Sequence, residues 1–258
     1  MSEKKYSILT FNFNNYEIMR EPEELDPECE YIYVTDNEKL KSDKWKIIID
    51  HDLDGLSPFD KCFKVRYNLF KYASTPVCIF MDGSVKIHKS LRKLYNDFMN
   101  SGADVGLNIH PERNNVYDEY LAWIRLRHYP REQFYKCMTL FKVADYDPRY
   151  KGLYQATVRI CKNTDLNKQI DEMVYETLLE VSKPNKTIDR LDQTIYSFVL
   201  NKFFENKVKV FPFAQQVFQN KYMTWCIHGI NRPIPLNPAH QFNTGYCLNK
   251  LVPLYKLI

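Results

Sequence analysis

An aspartate closes the apolar run Thr75-Pro-Val-Cys-Ile-Phe-Met and is followed at once by Gly83 and Ser84. Continuous β-branched and aromatic runs mark the buried strands of parallel sheets, which bind their ligands just beyond the carboxyl ends of such strands. Asp82 therefore stands where a sheet of this kind does its chemistry, and a carboxylate there can hold a divalent cation. Gly83 would let a ligand approach the backbone, and Ser84 adds a small oxygen donor, an arrangement suited to a metal-bound diphosphate. The same three residues also make an ordinary turn. The elements around them have to decide.

Tyr6 to Phe13, Cys29 to Thr35 and Trp45 to Ile49 read as strands, and each is followed by a polar residue: Asn14, Asp36 and Asp50. The spacing predicts a helix over Pro58 to Tyr72, with Phe59, Phe63, Tyr67 and Phe70 on one stripe and Ser57-Pro58 as its start signal. Further helices are predicted from Ser90 to Asn100, across 116–145 with an interruption at Pro130, over 167–181 and over 189–204. Strands are predicted at Asp104 to Ile109, Gly152 to Cys161 and 207–211. Interleaved strands and helices signal an α/β sheet. From Pro212 the composition turns to Asn, Pro, Gln and aromatics, so 1–211 reads as one domain and 212–258 as an irregular segment over its ligand edge.

Composition narrows the partners. The 36 basic and 32 acidic residues leave a formal charge of only +4, evenly spread, so no nucleic-acid partner is expected. Sixteen Phe, 19 Tyr and 3 Trp suit a wide, partly wet cleft, and they serve equally to fill a core. Seven cysteines without a Cys-x-x-Cys pair argue for free thiols rather than a disulfide framework or a structural zinc. The N-terminus lacks the apolar core of a signal peptide and no apolar run is long enough to span a bilayer, so a cytoplasmic protein is expected. The C-terminal run from Leu248 to Ile258 mixes lysines with aliphatics, either as a docked tail or as a peripheral contact with the inner face of the membrane.

Phosphate-loop, Gly-x-Gly-x-x-Gly, His-Glu-x-x-His and Gly-x-Ser-x-Gly motifs are absent, which disfavours common nucleotide hydrolases, dinucleotide enzymes and serine hydrolases. A series of short motifs stands instead. Asn15-Tyr16 to Pro22, Glu30 to Asp36 with Trp45 following, Phe80-Met-Asp82-Gly83-Ser84, His110-Pro111-x-Arg113 with Tyr117-Asp-Glu119, Gly152 to Arg159, and Arg190-x-Asp192-Gln193 occur in that order. Together they resemble the glycosyltransferase-like family of plants and bacteria that was long known only as a domain of unknown function, over roughly residues 6 to 200. The resemblance implies a GT-A-like fold, a mixed and mostly parallel sheet flanked by helices. It makes Asp82 a reduced form of the Asp-x-Asp metal motif, with Ser84 in place of the second acid. A fainter likeness joins His228-Gly-Ile-Asn-Arg232-Pro to the C-terminal segment of family 8 glycosyltransferases, with Arg for Lys, a shortened spacing and no Trp.

What the resemblances imply is transfer of a sugar from a nucleoside diphosphate sugar to a hydroxyl of a glycan or glycolipid precursor, as in surface polysaccharide synthesis. Asp82 and His228 would hold Mn²⁺ or Mg²⁺, and Arg232 would grip the diphosphate. Asn12 and Asp36 at neighbouring strand tips would take base and ribose, or else act as a turn residue and a cap. Lys64 and Arg66 would neutralise phosphates, or else lie on a solvated helix face. His110, Arg113, Glu119 and Arg159 would meet the sugar or acceptor, the competing view being a structural Arg113–Glu119 bridge. Asp192, beside Gln193 at a helix start, is the candidate base or oxocarbenium stabiliser, with Glu176 and Glu180 as substitutes and a simple helix cap as the alternative. Two rival functions remain: a non-catalytic carbohydrate-binding module, and a sugar nucleotidyltransferase, which lacks its Gly-rich N-terminal loop here.

Overall fold

A computed structural model describes residues 3–125, 131–182, 192–214 and 221–226. Its first strand, β1 (Tyr6–Asn12), is buried at every position, as a strand covered on both faces must be. β2 (Cys29–Thr35) and β3 (Lys46–Ile49) follow. Ser57 caps α1 (Pro58–Arg66) by accepting from the Asp60 N–H, with Pro58 at the first position. The helix ends earlier than its apolar stripe predicts: Asn68 takes a non-helical conformation, and the chain reaches Tyr72 through a 3₁₀ turn, Leu69–Lys71. Phe63 and Tyr67 of the stripe are buried, whereas Phe59 is exposed.

β4 (Val77–Met81) leads into a tight turn in which the Val85 N–H donates to the Asp82 carbonyl, then β5 (Val85–Ile87). α2 (Arg92–Ser101) stops on Gly102, whose φ of +67° suits a left-handed glycine cap. β6 (Val105–Ile109), α3 (Val116–Arg125), α4 (Arg131–Val143), β7 (Tyr154–Lys162) and α5 (Asp165–Ser182) come next. α6 (Asp192–Val199) runs on as a π-helical turn, Leu200–Phe204. β8 (Val210–Ala214) lies three residues beyond its expected place and crosses the 211/212 boundary. Pro212 sits within it because β8 is an edge strand, where a missing N–H costs no ladder bond. β9 (Met223–Trp225) pairs antiparallel with β5 in a small second sheet.

Among the described residues the main sheet has seven strands, in the order β3-β2-β1-β4-β7-β6-β8. Its pairs are parallel except at β7, which runs against both β4 and β6. The sheet is therefore mixed and mostly parallel, with helices on its faces. Because β7 is reversed, its first residues lie beside the ends of β4 and β6. Asn12, Asp36, Asp82, His110 and Gln155 consequently share one edge.

Alternation along the strands splits the apolar residues into two cores. Leu9, Phe11, Val34, Phe80 and Leu107 pack with Phe63, Tyr120, Phe141, Val174 and Phe198 from the helices of one face. Tyr6, Ile8, Tyr33, Ile79 and Ile160 pack on the other with Leu94 and Phe98 of α2 and with Ile87 and Trp225 of the small sheet. The six cysteines among the described residues are all free thiols. No helix among those residues is long and apolar enough to cross a membrane.

Candidate active site

Arg66 ends α1 with its guanidinium 5.0 Å from the centre of the Phe80 ring and 5.8 Å from those of Phe11 and Phe63. Such aromatic faces hold a flat cation in one orientation. One terminal nitrogen donates to Asp82 and the other to Asp192. Asp82 is fixed by its backbone, which extends the β4–β7 ladder by donating to the Thr157 carbonyl at 2.9 Å. Asp192 is the first residue of α6, where a carboxylate also meets the positive end of the helix dipole. The side chains of Arg66, Asp82 and Asp192 keep 12%, 28% and 13% exposure, so the trio opens to solvent mainly at Asp82. Its formal charge is −1.

Gln193 joins this trio to a second cluster. Its amide donates to Glu119 of α3, a fully buried carboxylate that also accepts from the Arg113 guanidinium. His110, just past β6, accepts at Nδ1 from the backbone N–H groups of Glu112 and Arg113 at 3.2 and 3.1 Å, and its Nε2 lies 3.6 Å from Glu119 Oε2. Burial, reinforced by the Arg113 cation, pushes the imidazole pKa down to about 3, so the ring stays neutral. His110, Arg113, Glu119 and Gln193 are thereby brought into one network, and the first two residues of α6 tie it to Asp82.

Arg159 lies within β7 rather than at its tip. It is buried, pairs in bidentate fashion with Asp171 of α5, and donates to the Arg66 carbonyl at 2.6 Å. Its guanidinium is 5.2 and 5.1 Å from the ring centres of Tyr67 and Tyr196. Arg159 thus anchors the end of α1 beneath the trio. Asp171 is not among the residues expected from the sequence. An acid beside Ile170, on the stripe shared with Val174, Leu178 and Val181, was the available signal, since a charge on an inward face requires a partner.

Several candidates sit elsewhere. Glu176 and Glu180 are exposed on the face of α5 opposite its buried stripe, so neither substitutes for Asp192. Lys64 is exposed on α1 and makes no ion pair among the described residues, leaving Arg66 as the inward cation of that pair. Asn12 uses both ends of its amide on the backbone of Glu17, at 2.9 and 2.6 Å. It closes a loop in which Asn14 and Asn15 have φ of +56° and +51°. Asp36 accepts from Lys61 and from the Asn14 N–H, each at 2.9 Å. Burial works against its charge, but these donors outweigh it and hold the carboxyl below the ordinary range.

Gly83 answers a packing need: a Cβ there would lie 2.8 Å from the Phe11 carbonyl oxygen. Its own carbonyl accepts from Arg20 at 2.7 Å. Ser84 is buried, and its carbonyl accepts from the Cys226 N–H. His228 and Arg232 lie outside the described residues.

A divalent cation needs several oxygen or imidazole ligands converging on one point. Asp82 and Asp192 do converge, but on a guanidinium, and among the described residues no group of three or more His, Cys, Asp or Glu side chains could hold a metal. Among the described residues this donor set does not complete a site for the expected Mn²⁺ or Mg²⁺, and His228, the expected second ligand, lies outside them. Arg66 already supplies the positive charge between the carboxylates.

Neither known protein families nor curated protein sequences give a match to this chain. A solved structure does. Mouse xyloside xylosyltransferase 1, in its apo form, aligns over 81% of this chain and 85% of that one, at 13% identity and a TM-score of 0.45. A likeness of that order carries nothing about activity.

Proposed function

We propose that the chain is a GT-A-type glycosyltransferase that moves a sugar from a nucleoside diphosphate sugar to a hydroxyl of a glycan or glycolipid precursor. One observation carries this reading: Asp82 from a strand tip and Asp192 from a helix start meet on one guanidinium at the edge where such sheets bind ligands. A trio of net negative charge suits a centre where positive charge develops better than it suits a diphosphate. Glycosyl transfer makes such a centre at the anomeric carbon, through an oxocarbenium-like transition state.

In this account Asp192 takes the proton of the incoming hydroxyl or steadies the anomeric carbon, oriented by Arg66. Asp82 adds negative potential from the opposite side of that guanidinium. The Glu119 cluster, reached through Gln193, would orient the acceptor. The diphosphate has to be met by cations beyond the trio.

The test is turnover with UDP-, GDP- and CMP-sugars against saccharide acceptors. Asp192→Asn should retain donor binding while transfer falls about 10²–10⁴-fold, the usual worth of a positioned acid or base. Absence of binding or turnover with every nucleotide sugar would end the reading.

A further inference from the structure

Arg159 meets each of the three elements that carry the trio. In β7 it stands opposite Phe80 of β4, two residues before Asp82. Its Nη2 donates at 2.6 Å to the carbonyl of Arg66, the last residue of α1. Helix ends leave such carbonyls without an intrahelical partner, so the guanidinium caps α1 as a cation at the negative end of its dipole. The same guanidinium lies 5.1 Å from the ring centre of Tyr196, one turn beyond Asp192 in α6. Tyr196 in turn stacks on Tyr67, with ring centres 6.4 Å apart and planes at 18°. We infer that Arg159 is a positioning residue of the transfer step: held by Asp171, it sets the end of α1 against the start of α6, and with them the placement of Arg66 and Asp192. Being buried, it acts through those residues rather than on a ligand. The inference rests on, and deepens, the proposed transferase function.

Stability alone does not ask for the Arg159–Asp171 pair. Apolar side chains of similar volume can often replace a buried ion pair without loss, because desolvation offsets the Coulombic gain. What they cannot do is donate to the last carbonyl of α1. A lysine could not do it either while also meeting both oxygens of Asp171, since that takes the rigid fork of a guanidinium. α6 has further ties, through Ser197 to the Tyr154 N–H at 3.1 Å and through Gln193 to Glu119, which fix it to β7 and α3. Arg159 adds a tie between α6 and the end of α1. The consequence for rate is large, because misplacing a reacting group by about 1 Å costs about 10²-fold.

Two variants of the full chain test the role: Arg159→Met combined with Asp171→Leu, which removes both charges together, and Arg159→Lys, which keeps the charge but not the fork. Each is assayed with UDP-, GDP- and CMP-sugars against saccharide acceptors. In both, kcat should fall about 10²-fold while the donor KM stays within about threefold, and the double variant should unfold near the wild-type temperature. A residue that served stability alone would shift the unfolding temperature and leave kcat of the folded enzyme intact. Arg159→Lys placed in the Asp192→Asn background should add little further loss, because the group it positions is already gone. Backbone amides in the last turn of α1 and the first turn of α6 should exchange faster in both variants, a readout that needs no activity.

An active wild type with unchanged kcat in both variants would overturn the positioning role and leave the transferase function standing. So would losses that multiply in the Asp192→Asn background, or unchanged exchange at the two helix ends. If the wild type turns over none of these sugars although both helix ends loosen in the variants, the transferase function falls and the role in transfer falls with it.

Discussion

Replacing Arg66 by Met keeps much of the apolar contact with Phe11, Phe63 and Phe80 but deletes the charge that Asp82 and Asp192 share. Breaking a buried ion pair from one side costs about 3–5 kcal/mol, because the remaining charge is left uncompensated. The side chains here keep 12–28% exposure, so solvent screening reduces the expected loss to about 2–3 kcal/mol. In a chain of this size that is a fall in unfolding temperature of about 4–12 °C at pH 7. The sign of the pH dependence follows from the same geometry. Two carboxylates left facing each other raise the pKa of one of them above its unfolded value. The folded variant then binds more protons than the unfolded chain, so its deficit shrinks as pH falls from 7 toward the carboxylate range.

A second arm uses the space vacated. In Arg66→Met the two carboxylates lie about one guanidinium apart, close enough to share a divalent ion, so Mn²⁺ should bind and recover part of the lost stability. The wild-type pair should take up none. Differential scanning fluorimetry from pH 4 to 8, with Mn²⁺ binding followed by electron paramagnetic resonance, reads both arms. A variant within about 1 °C of wild type at every pH would refute the trio as a structural unit. Wild-type Mn²⁺ binding that is lost in Asp82→Ala would refute Arg66 as its resident cation.

Gly83→Ala should destabilise by a few kcal/mol in chemical denaturation, since its Cβ meets a backbone carbonyl that cannot swing aside; a neutral result would return Gly83 to a ligand role. Asp171→Ala should cost about 3–5 kcal/mol by stranding buried Arg159, while Glu176→Ala on the exposed face of the same helix should stay within about 0.5 kcal/mol in urea titrations. For His110, the folded ring stays neutral down to about pH 3 while the unfolded chain takes up a proton below its ordinary value near 6.5. The resulting stability is held above pH 6.5 and lost as pH falls, by up to about 1.4 kcal/mol per pH unit. His110→Gln should flatten that part of the urea-midpoint profile, and an unchanged slope would refute the assignment.

The strand tips were legible because apolar burial reads at the level of pattern: β1, β2, β4 and β6 are runs that end on polar residues, whatever lies beside them in space. The strand expected at 207–211 was displaced to Val210–Ala214 for a related reason. Proline forbids an interior strand but not an edge, and edge or interior is a property of the whole sheet. Polar pairing is harder still, since a charged side chain commits to whichever partner the topology delivers. Arg66 had the spacing to face a phosphate, yet α6 places Asp192 against it, and the guanidinium is held between two acids. Gly83 looked like room for a ligand because glycine reports only that something comes close, and here that is the carbonyl of Phe11. Asp171 stood in plain view on an inward stripe, where a carboxylate without a cation would be too costly to bury. An acid on a buried helical face therefore predicts an unseen arginine, and that constraint could have placed Arg159 in the interior rather than at the acceptor.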